Sequence, residues 1–159
     1  MKQMTSLALA LLLAFGATAK NHKPTHVTVK GENVTVTYGQ PAEGENVVPA
    51  NGTAWHTGVG EPTIVTLNKG CMFAGRQVNP GTYSLITVPY KGEWIVYLTN
   101  EKDNNEIDLE KVKSNNMLYG FAIVGKNDKG VDGYKIEAVN DGLLVSWDHS
   151  NIMIPVKPW

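Results

Sequence analysis

Tyr134-Lys135-Ile136-Glu137-Ala138-Val139-Asn140-Asp141-Gly142-Leu143-Leu144-Val145-Ser146-Trp147-Asp148 decides the fold class. Tyr134, Ile136 and Ala138 alternate with charged residues, and Leu143, Val145 and Trp147 keep the same period after the turn. Successive side chains on a strand point to opposite faces, so a period of two marks a strand with one buried side. Asn140-Asp141-Gly142 between the two runs predicts a hairpin, because Asp-Gly tolerates positive φ. Residues 152–156 predict a third strand. It carries Pro155 and is followed by Pro158, and proline cannot donate to a ladder, so an edge position is expected.

The same alternation runs upstream. Val27 and Val29, then Val34, Val36 and Tyr38, flank a turn at Lys30-Gly31-Glu32-Asn33. Residues 40–51 are rich in Pro, Gly, Glu and Asn and predict a loop. Strands are expected at 62–68, 81–88, 93–99 and 117–124, with Pro89-Tyr90-Lys91-Gly92 joining the second and third. Residues 101–116 lack a sheet signature and are half charged. Leu109 and Val112 could face inward from one helical turn, and a solvated loop fits equally. About ten short strands with turn signals every 8–12 residues or so predict an all-β single domain, a β-sandwich or a partly closed barrel.

Residues 1–19 do not belong to that domain. Lys2 gives a positive start, nine consecutive apolar residues follow from Leu7 to Phe15, and Ala17-Thr18-Ala19 ends the segment with small residues. This is the pattern of a cleaved export signal, with the cut between Ala19 and Lys20. The apolar run is far short of the roughly 20 residues that a membrane-spanning helix needs. The expected organisation is a signal at 1–19, a short polar linker at 20–25 and an all-β domain at 26–157, placing the mature chain in the periplasm or outside the cell, with no span of its own.

A mature chain of that size buries roughly two thirds of its unfolded surface and can fold without covalent staples. Cys71, the single cysteine, cannot form an intramolecular disulfide. It lies in the apolar run Cys71-Met72-Phe73-Ala74, where a buried, inert thiol is expected. The formal net charge is −1, and loss of Lys2 makes it −2. The basic residues are scattered and only Arg76 is an arginine, which excludes the clustered basic surface that phosphate backbones require. Nucleic acid is therefore not an expected partner.

Four blocks carry a family resemblance: Tyr38-Gly39-Gln40-Pro41, then Trp55-His56-Thr57-Gly58-Val59-Gly60-Glu61-Pro62-Thr63, then Pro80-Gly81-Thr82-Tyr83-Ser84-Leu85, then Glu93-Trp94-Ile95-Val96. In order and spacing they resemble a family of secreted bacterial proteins known only as a domain of unknown function, over residues 27–157. The resemblance implies export and β architecture and assigns no catalytic residue. Three positions depart from the family pattern, which has arginine at His56, asparagine at Gly60 and arginine at Gln40. A site built on those side chains would differ here.

Trp55-His56-Thr57-Gly58-Val59-Gly60-Glu61 is the most unusual segment. As a ligand-binding lip it would offer Trp55 for stacking and His56 and Glu61 as polar contacts. As a tight turn it would send Trp55 into the core, and the turn accounts for the glycines equally well. Metal binding needs three or more converging ligands. His56, Glu61, Asp148 and His149 are the candidates, with His22 and His26 near the start of the mature chain, but they show no ligand spacing, and Asp148 and His149 would point to opposite faces of a strand. No metal or cofactor is expected: there is no phosphate-cradling glycine loop, no dinucleotide fingerprint and no Gly-x-Ser-x-Gly elbow. Trp94 and Trp147 fall in phase with apolar neighbours and are expected in the core. The function expected is a non-catalytic exported binding or interaction module for an unidentified small molecule, glycan or protein. The alternatives are a hydrolase using a His56/Glu61 cleft and an envelope protein associating through its edge strand.

Overall fold

A computed structural model describes residues 23–45, 47–100, 107–114 and 118–159. The expected signal at 1–19, the cut between Ala19 and Lys20, and the start of the linker lie outside these residues. Nine strands are described: β1 (Thr25–Lys30), β2 (Val34–Gln40), β3 (Thr63–Leu67), β4 (Cys71–Phe73), β5 (Arg76–Val78), β6 (Gly81–Tyr90), β7 (Glu93–Thr99), β8 (Leu118–Val139) and β9 (Gly142–Pro158). They form one antiparallel sheet in the order β1-β2-β3-β6-β7-β8-β9-β4-β5. The chain is all-β, as the alternation predicts.

The strands differ from the expectation in their boundaries. Within the described residues, runs 118–124 and 134–139 are continuous in β8, and runs 143–148 and 152–156 are continuous in β9. The polar residues that read as gaps are bulges: the β8–β9 register shifts between Lys126 and Val131 and again between Val131 and Tyr134. Gly130 (φ 69°), Gly133 (φ 72°) and Asp148 (φ 44°) take the left-handed backbone that such kinks require. Conversely, residues 71–78 hold a short hairpin, β4–β5, turned by Ala74 (φ 48°) and Gly75 (φ 81°).

The bend folds the long β8–β9 hairpin back across the sheet. The first half of β8 pairs with β7. The second half packs on β2, where the Ile136 amide donates to the Tyr38 hydroxyl (3.1 Å) and the Tyr38 and Tyr134 rings meet edge to face at 5.8 Å. The ends of β9 themselves meet: Val156 N–H donates to Asp141 C=O at 2.9 Å. Gly142 sits in this closure, where a Cβ would lie 2.0 Å from the Ile154 oxygen. The wrapped sheet encloses one main core that includes Val36, Val65, Leu85, Ile136, Val145 and Ile154, each almost fully buried.

β9 is not the expected edge. It lies between β8 and β4, and the edges are β1 and β5. Proline lacks only the donor; the Pro155 carbonyl still accepts from Ala74 N–H at 2.8 Å, and Val156 finds its acceptor at Asp141.

A second, smaller cluster lies on the outer face of β6–β7. Ile86, Val88 and Tyr97 pack with Val112 of helix α1 (Leu109–Ser114). Asp108 caps this helix, its carboxylate accepting from the Glu110 and Lys111 amides (both 3.1 Å). Of the two readings of residues 101–116, the helical turn is the one observed for 109–114. This cover explains why five consecutive residues, Ser84 to Val88, are buried: a strand packed on both faces loses its alternation.

Candidate functional site

The Trp55–Glu61 segment is an excursion off the sheet. Trp55 forms an isolated bridge with Thr87, two backbone hydrogen bonds of 2.9 Å each, and the chain rejoins the sheet at Thr63, opposite Leu85. Trp55 points inward and is 8% exposed. Its ring contacts Trp94 (6.2 Å) and Tyr134 (5.4 Å), and its indole N–H donates to Gly58 C=O at 3.0 Å. Thr57, fully buried at φ 57°, is the knot of the turn. Its hydroxyl shares a hydrogen bond with Thr87 (3.0 Å), and its carbonyl accepts from the Thr63 hydroxyl (3.0 Å) and from the Tyr134 hydroxyl.

The first family block locks onto the second. Val59 N–H donates to Gly39 C=O at 3.0 Å, and a Cβ on Gly39 would lie 1.9 Å from the Val59 oxygen. Glu61 is solvent-exposed and faces His26 of β1 at 3.4 Å. His56 is half-buried, and its carbonyl accepts from Thr63 N–H (3.2 Å). Trp55 is thus core, His56 sits part-way in and Glu61 lies at the surface. Asp148 neighbours a different imidazole, His149, at 3.8 Å. Among the described residues, no three His, Cys, Asp or Glu side chains are close enough to hold a metal ion.

A cavity lies elsewhere, where the loop after β2 faces the β8–β9 bend. It is an open cleft of about 580 Å³. Glu43, Glu45, Val47 and Val48 form one wall; Val131, Asp132, Gly133, Trp147 and Asp148 form the other, with Tyr134 between them. The bulges create it, since the left-handed residues Gly133 and Asp148 splay the two strands there. Trp147 is half-buried and packs on Trp94 at 5.4 Å, so the ring is held rather than free. Tyr134 is 2% exposed, and desolvation, followed by the nearby Tyr38, holds its hydroxyl well above the usual tyrosine range as a neutral donor. Sites for small ligands typically occupy roughly 300–1,000 Å³ with apolar walls and a few polar groups.

Neither Trp55, His56 nor Glu61 lines this cleft. Two of its features were visible as fragments: the paired glutamates of the 40–51 loop, and Asp132-Gly133 beside a strand. Their convergence depends on the bend, which local periodicity does not encode. Trp147 was expected in the core; it packs there on one side and walls the cleft on the other. Cys71 is fully buried, and burial raises its thiol pKa, as the apolar run implies.

A family model described as a protein of unknown function, DUF2911, matches residues 20–156. No curated protein and no solved structure matches the chain.

Proposed function

The chain belongs to this family of unknown function, and from that premise we propose that it is an exported, non-catalytic binding module whose ligand site is the cleft between the 43–48 loop and the β8–β9 bend. The observation that carries this reading is the make-up of the cleft. It has ligand-sized volume, aliphatic and aromatic walls and rim carboxylates, and among its described lining residues there is no serine, threonine, cysteine, lysine or histidine. Such a surface can hold a ligand, and its described lining offers none of the serine, threonine, cysteine or lysine nucleophiles of covalent catalysis. Glu61 against His26 and Asp148 against His149 are separate pairs, which counts against a hydrolase built on His56 and Glu61. Export rests on the pattern of residues 1–19.

Two measurements test these statements. N-terminal sequencing of protein recovered from the cell envelope or medium should begin at Lys20; a product retaining Leu7 to Phe15 overturns export with cleavage. A thermal-shift screen of sugars, peptides, amines and divalent metals should give at least one hit that Trp147→Leu weakens and His56→Ala does not. A ligand at about 100 times its dissociation constant stabilises by roughly 2.7 kcal/mol, a readily measured shift. Hits lost on His56→Ala and kept on Trp147→Leu would move the site back to the Trp55–Glu61 segment.

A further inference from the structure

We propose that the cleft takes an organic cation: a primary ammonium or guanidinium group carried on an aliphatic stem. The inference rests on the binding reading above and adds the chemistry of the ligand. Four carboxylates, Glu43, Glu45, Asp132 and Asp148, line one cavity, and no lysine, arginine or histidine is among its described lining residues, although Asp148 also neighbours His149 at 3.8 Å. This is not the character of the molecule as a whole, whose formal net charge is only −1. All four carboxylates are solvent-exposed, and carboxylates gathered around one concave cleft raise the local concentration of cations.

The arrangement selects against a metal ion. A hard cation needs its oxygen ligands converging within about 2.3–2.6 Å of one point, and no three acidic, histidine or cysteine side chains among the described residues form such a group. The four acids are instead distributed between two opposing walls of about 580 Å³ of space. An extended ligand can satisfy charges at separate positions where a point ion cannot.

The remaining lining matches a stem and a charged head. Val47, Val48 and Val131 give aliphatic surface, and Trp147 gives an aromatic wall whose position is fixed by Trp94. Tryptophan is the strongest partner for an ammonium or guanidinium among aromatic side chains. A free diamine and a lysine or arginine side chain of a peptide share this chemistry.

Isothermal titration calorimetry of the purified chain tests the inference. The cationic probes are cadaverine, spermidine, Nα-acetyl-lysine amide and Nα-acetyl-arginine amide. 1,5-Pentanediol supplies a neutral stem, glutarate an anionic one and calcium chloride a metal ion. At least one cationic probe should bind, while pentanediol and glutarate should not. Raising sodium chloride from 20 to 200 mM should weaken binding, as should Trp147→Leu. The double variant Asp132→Asn/Asp148→Asn should raise Kd at least five-fold. Asparagine is suited to position 148, because it tolerates the left-handed backbone there better than other residues with a Cβ, and an unchanged far-UV circular dichroism spectrum will show that the variant folds.

Tighter binding of cadaverine assigns a free amine, and tighter binding of the acetylated amides assigns a basic side chain; either supports the proposal. Silence of all four cations overturns it, as does an unchanged Kd in the double variant or binding of calcium alone. Failure of the wider reading looks different. A neutral sugar or peptide that binds wild type and is weakened by Trp147→Leu would leave the cleft a binding site with another ligand class. Hits that Trp147→Leu never affects would remove the cleft itself.

Discussion

Thr57 is β-branched and yet sits at φ 57°, where a residue with a Cβ costs about 1–2 kcal/mol. The strain persists because the hydroxyl and the carbonyl of the residue are engaged inside the core: the hydroxyl by Thr87, the carbonyl by Thr63 and Tyr134. Thr57→Val keeps the shape and leaves the Thr87 hydroxyl without that partner, so a loss of roughly 1–3 kcal/mol is expected in urea unfolding. Gly39→Ala should be at least as costly, since its Cβ meets the Val59 backbone oxygen at 1.9 Å and overpacking of this kind costs about 1–3 kcal/mol or more. Gly60 accounts for one departure from the family pattern. Its φ is 76°, and asparagine, the residue the pattern places there, is the other common occupant of that backbone region. Gly60→Asn should therefore cost less than Gly60→Val in thermal unfolding, and the reverse order would mean that position 60 answers to something other than its backbone. The Trp55–Glu61 segment was legible as unusual because its residues obey a strict backbone demand. A ligand site leaves the same mark in a sequence, so the two readings separated only when Trp55 was seen in the core.

Turns and ladders account for which elements could be read. The Lys91 (φ 49°) and Gly92 (φ 83°) turn joins β6 and β7 as a two-residue loop, and Gly92 announces it. The equivalent Ala74-Gly75 turn leaves no alternation signal, because its strands are three residues each, too short to display a period. The opposite error splits β8 and β9 into two expected strands each. Lys126 to Gly133 and Asp148 to Asn151 are polar enough to look like loops, but a bulged hairpin tolerates polar residues because bulging turns their side chains out of the ladder. Helix α1 is the element most dependent on local chemistry. Its six residues are too few to be stable alone, and it is held by Val112 beneath and the Asp108 cap at its start. Asp108→Ala should remove about 1 kcal/mol from whatever stability α1 has over its own detached state. Hydrogen exchange of the Val112 amide, which donates to Asp108 C=O at 2.9 Å, should then quicken while exchange in β3 stays unchanged. Equal acceleration in both would mean that α1 and the sheet open only together.

At the scale of the whole molecule, the fold class followed from alternation and the cleft did not. Alternation records which side of a strand is buried, residue by residue. The cleft exists because one hairpin bends across the sheet and brings residues 43–48 to face residues 131–148, a relation between distant segments. Packing on both faces of the sheet buries several ionisable groups, with a consequence for alkaline stability. Desolvation raises the hydroxyl pKa values of Tyr38, Tyr97 and Tyr134, most strongly for Tyr134, and that of the Cys71 thiol. In each case the folded state favours the protonated form. In the unfolded chain these groups titrate near their ordinary values, about 8.5 for cysteine and about 10 for tyrosine. Below that range both states keep the protons and the full stability is present. Above it the unfolded chain releases protons that the native chain retains, so it binds fewer, and stability falls as pH rises. Urea unfolding should accordingly show a flat stability near pH 7–8 and a decline through pH 9–11. Tyr134→Phe separates this linkage from general alkaline damage. At pH 7 the variant should be less stable by roughly 1–3 kcal/mol, because the Thr57 carbonyl loses one of its two hydroxyl donors. Between pH 9 and 11 its decline should be shallower than that of the wild type, since one strongly shifted group has been removed. Parallel declines would mean that Tyr134 ionises as readily in the fold as out of it, and that the floor of the cleft is wetter than its burial implies.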